Sequence, residues 1–397
     1  MTSQEHRPPP TCELSIVMPC LDEAGTVESC IRKARGFLER HRVSGEVIVA
    51  DNGSTDGSPA LAERLGARVV PAARRGYGNA LQAGFAAAQG LYVVMGDSDD
   101  TYDFSSLEPF LARLRAGDDV VVGNRFRGGI APGAMPPLHR HLGNPLLSFL
   151  ARTFFGVPLG DVYCGLRGLS RAALDRLDLQ SAGMELALEM LVKARLLGMR
   201  VTEVPTTLSP DRRGRAPHLD TWRDGRRSLL LYLASMPHGL FLYPGLALLA
   251  LGLGLGAVLA LRPLTVRGVH FDVHTLLVCW IAALLGFQLV TQSIVLRFLM
   301  VSARLLPPDP RFMERLGQLR LEHGLGAGFV VALSGLSGIL WVVGSWGLHA
   351  FGNLDPFATM RVVIPSVAAV ALGFQVAFAA LFLSLVKWQA RSREARR

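Results

Sequence analysis

Two kinds of hydrophobic patterning divide the chain. Up to about residue 230, short apolar runs alternate with polar segments, and beyond that point long uncharged stretches take over. In the first part, β-rich runs at 14–19, 46–51, 67–71, 91–97 and 119–125 predict strands. Helical spacing over 26–41, 58–65, 77–89 and 105–116 predicts helices between them. Strand alternating with helix implies an α/β sheet that is mostly parallel. In the second part, runs 239–261, 275–296, 325–347 and 362–386 carry no charged residue, and each exceeds 20 residues. A helix rises ~1.5 Å per residue against a hydrocarbon core of about 30 Å, so each run is long enough to span it. Four such runs in succession argue against buried helices of a soluble fold.

The stretch at 218–236 differs from both parts. Trp222, Leu229, Leu230, Leu233 and Met236 are spaced to share one helical face, with arginines on the other flanks. A basic amphipathic helix just before a span belongs in the membrane interface, and Pro237 allows a turn into the bilayer. The expected organisation is a disordered tail at 1–12, an α/β domain at 13–210 and a basic juxtamembrane helix at 211–237. A four-helix transmembrane domain at 238–390 and a basic tail at 391–397 follow.

Charge sets the expected orientation. Arg212, Arg213, Arg215, Arg223, Arg226 and Arg227 precede the first span. Arg297, Arg304, Arg311, Arg315 and Arg320 lie between the second and third. Lys387, Arg391, Arg393, Arg396 and Arg397 follow the last. The opposite loops offer Arg262, Arg267 and Arg361. The basic side is cytosolic, which puts both termini and the α/β domain in the cytosol of an integral plasma-membrane or ER-type protein. Residues 1–11 are polar and proline-rich, so no cleaved signal peptide is expected. The net charge of +9 gathers beside the spans, which favours anionic lipid over nucleic acid as its partner. Cys12, Cys20, Cys30, Cys164 and Cys279 form no CxxC pair, which argues against a thiolate zinc site.

Candidate chemistry sits at the predicted strand ends, where parallel sheets bind ligands. These ends read Pro19-Cys20-Leu21-Asp22-Glu23, Asp51-Asn52-Gly53-Ser54-Thr55-Asp56, Asp97-Ser98-Asp99-Asp100 and Gly123-Asn124-Arg125. The Asp97–Asp99 pair fits a magnesium or manganese ion shared with a substrate diphosphate, the alternative being a solvated acidic turn. Asp51 is placed to reach a ribose or base edge, and Asp56 to cap the next helix. Arg74 and Gly76 open a helix whose N-terminus suits phosphate. Arg212 and Arg213 lie where a lipid phosphate would leave the bilayer surface. Glu185 and Glu189, four apart, share a helix face and either bind sugar hydroxyls or pair with Lys193.

Together these motifs resemble the family 2 glycosyltransferases of GT-A fold, in the dolichol-phosphate mannose and polyprenyl-phosphate glucose synthase branch. Ser15–Glu23, Asp51–Ser58 and Asp97-Ser98-Asp99 carry the resemblance. Gly123-Asn124-Arg125-Phe126, Asp161–Arg167 and Glu203-Val204-Pro205 follow in the branch's order. It covers about residues 13 to 236 and implies a Rossmann-like GT-A domain, which the four uncharged runs extend with an all-α transmembrane domain of four helices. It implies that Pro19, Asp22 and Glu23 border the nucleotide, that Asp51 contacts base or ribose, and that Asp97 and Asp99 serve the metal–diphosphate complex. Arg125, with Arg140, would hold the acceptor phosphate. Two departures stand out: Asp22 replaces a usual asparagine, and Asp100-Thr101 replaces the usual run to glutamine, which puts the second metal ligand in question.

The implied reaction moves a hexose from a nucleotide sugar (UDP-glucose or GDP-mannose type) to polyprenyl or dolichyl phosphate. A phosphate monoester with a second pKa near ~6 is already a dianion at neutral pH, so no general base is needed. The implied cofactor is Mg2+ or Mn2+. The partners are the nucleotide sugar, the lipid phosphate and the membrane, with a homo-oligomer left open. A processive polysaccharide synthase would carry a Gln-x-x-Arg-Trp segment, and Thr221-Trp222-Arg223-Asp224 is not one. A lipid-linked sugar flippase or transporter would favour charges inside the spans. There the main polar residues are Gln288, Gln292 and Gln375. A nucleotidyltransferase would leave the arginines and the basic helix unexplained.

Overall fold

The computed structural model describes residues 9–212 and 221–394, the side chains of 221–224 and 390–394 excepted. The chain divides into two compact units, residues 1–232 with 304–307, and residues 233–303 with 308–397.

The first unit is built on strands β1 (Cys12–Cys20), β2 (Gly45–Asp51), β3 (Arg68–Pro71), β4 (Gly90–Met95), β5 (Val120–Asn124), β6 (Arg167–Ser170) and β7 (Val201–Pro205). They form one seven-stranded sheet of order β3-β2-β1-β4-β6-β5-β7. All pairings are parallel except those of β6, which runs antiparallel between β4 and β5. The helices of this unit are α1 (Val27–Arg40), α2 (Ser58–Arg64), α3 (Tyr77–Ala87), α4 (Glu108–Arg115), α5 (Arg125–Gly128), α6 (Asn144–Phe155), α7 (Arg171–Leu177) and α8 (Leu186–Leu196). The central strands are continuous apolar runs because helices cover both faces. Leu14, Ile16, Val17, Met18, Val47, Ile48, Val49, Val93, Val94 and Val120–Val122 are all buried. Each such side chain stabilises the fold by about 1.5–3 kcal/mol. Helix α1 adds Cys30, Ile31, Ala34, Phe37 and Leu38 on its inner face.

The five predicted strands and four predicted helices are present, with ends shifted by a few residues. The helix expected from 105 starts at Glu108, because the Asp103 carboxylate holds Ser105 and Ser106 in a turn ahead of it. The strand expected to reach Arg125 stops at Asn124, whose side chain accepts the Arg127 N–H and turns the chain into α5. Strands β6 and β7 were not anticipated.

Helix α9 (Thr221–Ser235) occupies part of the stretch expected to be interfacial. Leu229, Leu230 and Leu233 are exposed and Met236 half-buried, while Ser228, Leu231, Tyr232 and Ser235 face inward. Arg213, Arg215 and His218 lie outside the described residues, as do the side chains of Trp222 and Arg223.

The second unit contains α10 (Tyr243–Leu261), a small hairpin of β8 (Leu264–Val266) and β9 (Val269–Phe271), α11 (Val273–Ser302), α12 (Pro310–Gln318), α13 (Leu321–Leu348) and α14 (Pro356–Glu394). A π-helical turn, His238–Leu242, leads into α10. Four helices are long and apolar enough to cross a membrane: His238–Leu261, Val273–Ser302, Leu321–Leu348 and Pro356–Gln389. Helices α10 and α11 pack as one hairpin, and α13 and α14 as another. Glycines allow the close approach: a Cβ on Gly328 would stand 2.6 Å from the Gly373 carbonyl oxygen. Arg361 lies within α14, paired with Asp272 at 2.8 Å. Helix α14 continues to Glu394, into the stretch expected to be a tail.

Candidate active site

The six parallel strands all end on one edge of the sheet, and antiparallel β6 begins there. Loops after β1, β2, β4 and β5 therefore meet the loop leading into β6. Strand β1 pairs with β2 on one side and β4 on the other, the reversal of direction that opens a ligand crevice in such sheets.

Two loops are stitched together at that crevice. The Ser98 hydroxyl donates to the Pro19 carbonyl at 2.7 Å, and the Thr26 hydroxyl donates to the Ser98 carbonyl at 2.8 Å. Glu23 is buried and accepts from the Thr26 hydroxyl at 3.1 Å. Asp22 takes a left-handed φ of 54° and accepts the Thr55 N–H at 2.7 Å, joining the ends of β1 and β2. Asp51 accepts the N–H groups of Gly53 and Ser54, both at 3.1 Å, so part of its hydrogen-bonding capacity holds its own turn. Asp56 stands one residue before the cap position of α2, which Gly57 occupies. It accepts the Ser58 N–H at 3.0 Å and the Ala24 N–H at 2.8 Å.

The three aspartates after β4 point to different partners. The Tyr77 hydroxyl donates to Asp97 Oδ1 at 2.9 Å. Burial, then the charge and hydrogen bond of Asp97, hold the Tyr77 pKa well above the ordinary phenol value, so it keeps the proton it donates. Asp99 Oδ1 accepts the N–H and hydroxyl of Thr101 at 3.1 and 2.6 Å. Asp100 has φ 62°, which turns its carboxylate back onto α1. There it meets Lys33 Nζ at 2.6 Å and the Ser29 hydroxyl at 3.1 Å, with Arg212 at 3.7 Å. Asp97 and Asp99 are thus the candidate metal donors, and Asp100 is committed to structure. Among the described residues, no three or more His, Cys, Asp or Glu side chains form a ready-made metal cage. Two carboxylates at a strand end are instead the donor set that magnesium or manganese shares with phosphate oxygens.

Gly165 packs against Asp97. A Cβ there would lie 2.7 Å from Asp97 Oδ2. The Gly165 N–H donates to Tyr102 Oη at 2.8 Å, and burial raises the Tyr102 pKa well above normal. The loop containing Gly165 is held by Arg167, fully buried, which donates to the carbonyls of Cys164, Ala187 and Val162 at 2.9, 2.5 and 2.7 Å. Burial lowers the Arg167 pKa, and burial lifts that of the Cys164 thiol to about 11.

Arg125 starts α5 almost fully enclosed. Its Nε and Nη2 donate to the two oxygens of Asp161 at 2.7 and 2.8 Å. Burial opposes the guanidinium charge, but the Asp161 carboxylate holds it and the pKa stays above its ordinary value. Nearby His139 is driven below its usual pKa by burial and then by Arg125. Arg140 is exposed in the π-helical turn His139–Gly143 that precedes α6.

The Arg74–Gly76 expectation is corrected in part. Arg74 is exposed, but the Gly76 N–H donates to Asn52 Oδ1 at 2.9 Å. The Gly78 and Asn79 N–H groups donate to the Ala182 carbonyl. The start of α3 is thereby spent on protein acceptors. Glu189 and Lys193 form a buried pair, and Glu189 also accepts the N–H groups of Gln180 and Ser181. That settles Glu189 as a support for the loop that packs on α3. Glu185 differs: its Oε2 is buried and has no hydrogen-bond partner among the described residues.

One feature escaped the sequence reading. Leu138, Leu142, Leu146 and Phe149 are all exposed along the π-turn and α6. Helix α9 lies beside them, with the Tyr232 hydroxyl donating to the Leu147 carbonyl at 2.9 Å. The spacing of 138, 142, 146 and 149 was the available signal.

A mixed α/β sheet with carboxylates at its switch point is joined in one chain to four helices long and apolar enough to cross a membrane, the layout of a membrane protein with an acidic candidate site. Comparison with known proteins narrows this. The model described as "Glycosyl transferase family 2" matches residues 15–178. That of the "Glycosyltransferase family 2 C-terminal transmembrane region" matches residues 294–387. A relative from Haloferax volcanii, the low-salt glycan biosynthesis hexosyltransferase Agl6, is 38% identical over 93% of this chain and 88% of its own. A dolichyl-phosphate hexose transferase of the same organism is 32% identical over 49% of this chain and 81% of its own. Among solved structures, glucosyl-3-phosphoglycerate synthase from Mycobacterium tuberculosis in complex with Mn2+ and UDP-glucose is 25% identical. It covers 57% of this chain and 79% of its own, at a TM-score of 0.45. The chain belongs to glycosyl transferase family 2 and is a glycosyltransferase with a GT-A-like domain.

Gly165→Ala is expected to lower kcat about a hundredfold, because the added methyl displaces Asp97. The comparison of kcat with melting temperature checks this, since a general loss of folding would lower both.

Proposed function

We propose that the enzyme transfers a hexose, with inversion, from a nucleotide sugar to a polyprenyl or dolichyl phosphate at the cytosolic membrane face. The observation that carries this reading is that one sheet edge holds both the acidic loop of Asp97 and Asp99 and the arginine-bearing loop of Arg125. The names of the Haloferax relatives point the same way. Pro19, Asp22, Glu23, Asp51 and Arg74 border the nucleotide side, with Gly76 as a backbone support. Asp97 and Asp99 would hold Mg2+ or Mn2+; when bound, the ion supplies positive charge for the departing diphosphate.

Arg125, fixed by Asp161, presents positive charge to the acceptor phosphate, with Arg140 and Arg212 closer to solvent. Arg213 belongs to the same proposal and lies outside the described residues. The acceptor is already a dianion, so these residues orient it for attack on the anomeric carbon opposite the leaving group. The exposed apolar rows of α6 and α9, with Arg226 and Arg227, suit a membrane surface on which a lipid phosphate is presented. The arginine bias of the loops supports the cytosolic orientation.

The unpartnered Glu185 Oε2 is the best candidate for a sugar-hydroxyl acceptor. Glu185→Ala is expected to reduce discrimination between gluco- and manno-configured donors about tenfold, with the melting temperature unchanged. Competition kinetics with paired donors measures it.

The central test incubates purified protein with radiolabelled nucleotide sugars, polyprenyl phosphate and magnesium or manganese. Label in the extracted lipid names the donor. Folded protein that labels no lipid from any donor would sink the proposal.

A further inference from the structure

We infer that α11 is the self-association surface of this protein, joining it to a second copy through a glutamine-bearing seam. Val278, Ile281, Leu285, Gln288, Gln292 and Leu299 are all exposed on one face of this helix. Steps of three and four residues separate the first five, the spacing of a helix–helix seam rather than of scattered surface positions. The opposite face carries Leu276, Cys279, Ala283, Gly286, Ser293 and Phe298, which are buried within the same unit. The seam therefore points away from the helices that α11 already contacts.

Most of the seam would suit lipid. Gln288 and Gln292 would not, because acyl chains offer no hydrogen-bond donors or acceptors. Both fall inside the uncharged stretch, ahead of Arg297. A glutamine amide is both donor and acceptor, so it is complementary to itself. Two copies inserted in the same direction bring their α11 helices together in parallel, and each glutamine then meets its own counterpart. That closed, twofold arrangement satisfies both amides in both copies. A polar residue in such a seam also fixes register, which limits assembly to one alignment.

The test uses the full chain, fluorescently labelled, in phosphatidylcholine–phosphatidylglycerol vesicles over a range of protein-to-lipid ratios. Energy transfer is expected to show a dimer. The double variant Gln288→Leu with Gln292→Leu should weaken it about tenfold while preserving the fold, since each amide pair contributes modestly. A second measurement guards against misfolding. Leu285→Cys should form a disulfide-linked dimer on oxidation, above the level of the parent chain, whereas Phe329→Cys on exposed α13 should not. The inference is overturned by a monomer at every density, by an unchanged dimer in the double variant, or by absent cross-linking at 285. Lost transfer to lipid phosphate with an unaltered dimer would assign the glutamines to the lipid substrate instead, and would equally overturn it.

Discussion

Asp97→Asn is expected to cut sugar transfer about a thousandfold and to leave the melting temperature nearly unchanged. The substitution keeps an oxygen for the Tyr77 hydroxyl, which donates at 2.9 Å, so the local geometry has little reason to relax. What disappears is the negative charge at the end of β4. Asp99→Asn should behave alike, since Thr101 can still donate to the remaining oxygen. Asp100→Asn is the internal control. Its carboxylate serves Lys33 and Ser29 on α1, so transfer should stay within a few-fold while stability falls. Steady-state kinetics and thermal melts of the three variants test the assignment. Equal loss of activity in all three would mean that the whole loop, rather than two of its carboxylates, serves the chemistry.

Asp161→Ala should be the most destabilising single change at the site. It strands Arg125, whose side chain is 9% exposed, without its fully buried partner. Breaking a buried pair by removing one member costs about 3–5 kcal/mol. For a domain of this size, that lowers the melting temperature by roughly 10 °C. The double change Arg125→Met with Asp161→Leu removes both charges together and should recover much of the stability, because a desolvated pair gains little over packed apolar groups. It should not recover transfer, since no guanidinium remains for the acceptor phosphate. A stable double variant with normal transfer would show that the pair is a structural fastening alone. Arg125→Lys should also fail, because an ammonium cannot match both oxygens of Asp161.

Strands β1, β2, β4 and β5 were legible because each is a continuous apolar run ending near polar residues: Val47 to Ala50 followed by Asp51, or Val93 to Met95 followed by Gly96 and Asp97, whereas β7 is interrupted by Thr202 and Glu203. Strand β6 was not, since Arg167-Gly168-Leu169-Ser170 has one large apolar residue and an arginine at its start. Its pairing with β4 and β5 makes it a strand, and no local pattern reports that. The same limit applies at the site. The crowding of Asp97, Asp99 and Asp100 marked a candidate site. Which of the three turns away depends on a left-handed backbone at Asp100 and on Lys33, far off in sequence. In the sequence Asp161 is only one residue of a motif, and its pairing with Arg125 depends on tertiary structure. Glu185 and Glu189 looked equivalent on a helix face, and only burial and hydrogen bonding separated them.

The antiparallel strand also has a consequence for synthesis on the ribosome. Strands β1 to β4 can pair as soon as they emerge, but β5 has no neighbour among them in the finished sheet. It joins them only through Arg167–Ser170, and β7 then pairs with β5. The acidic and arginine-bearing loops of the candidate site therefore remain separate pieces of nascent chain until β6 is made. Completion follows with Pro205, ahead of the first membrane span in the order of synthesis. A pause in translation between β5 and β6 would leave one edge of β4 and both edges of β5 unpaired.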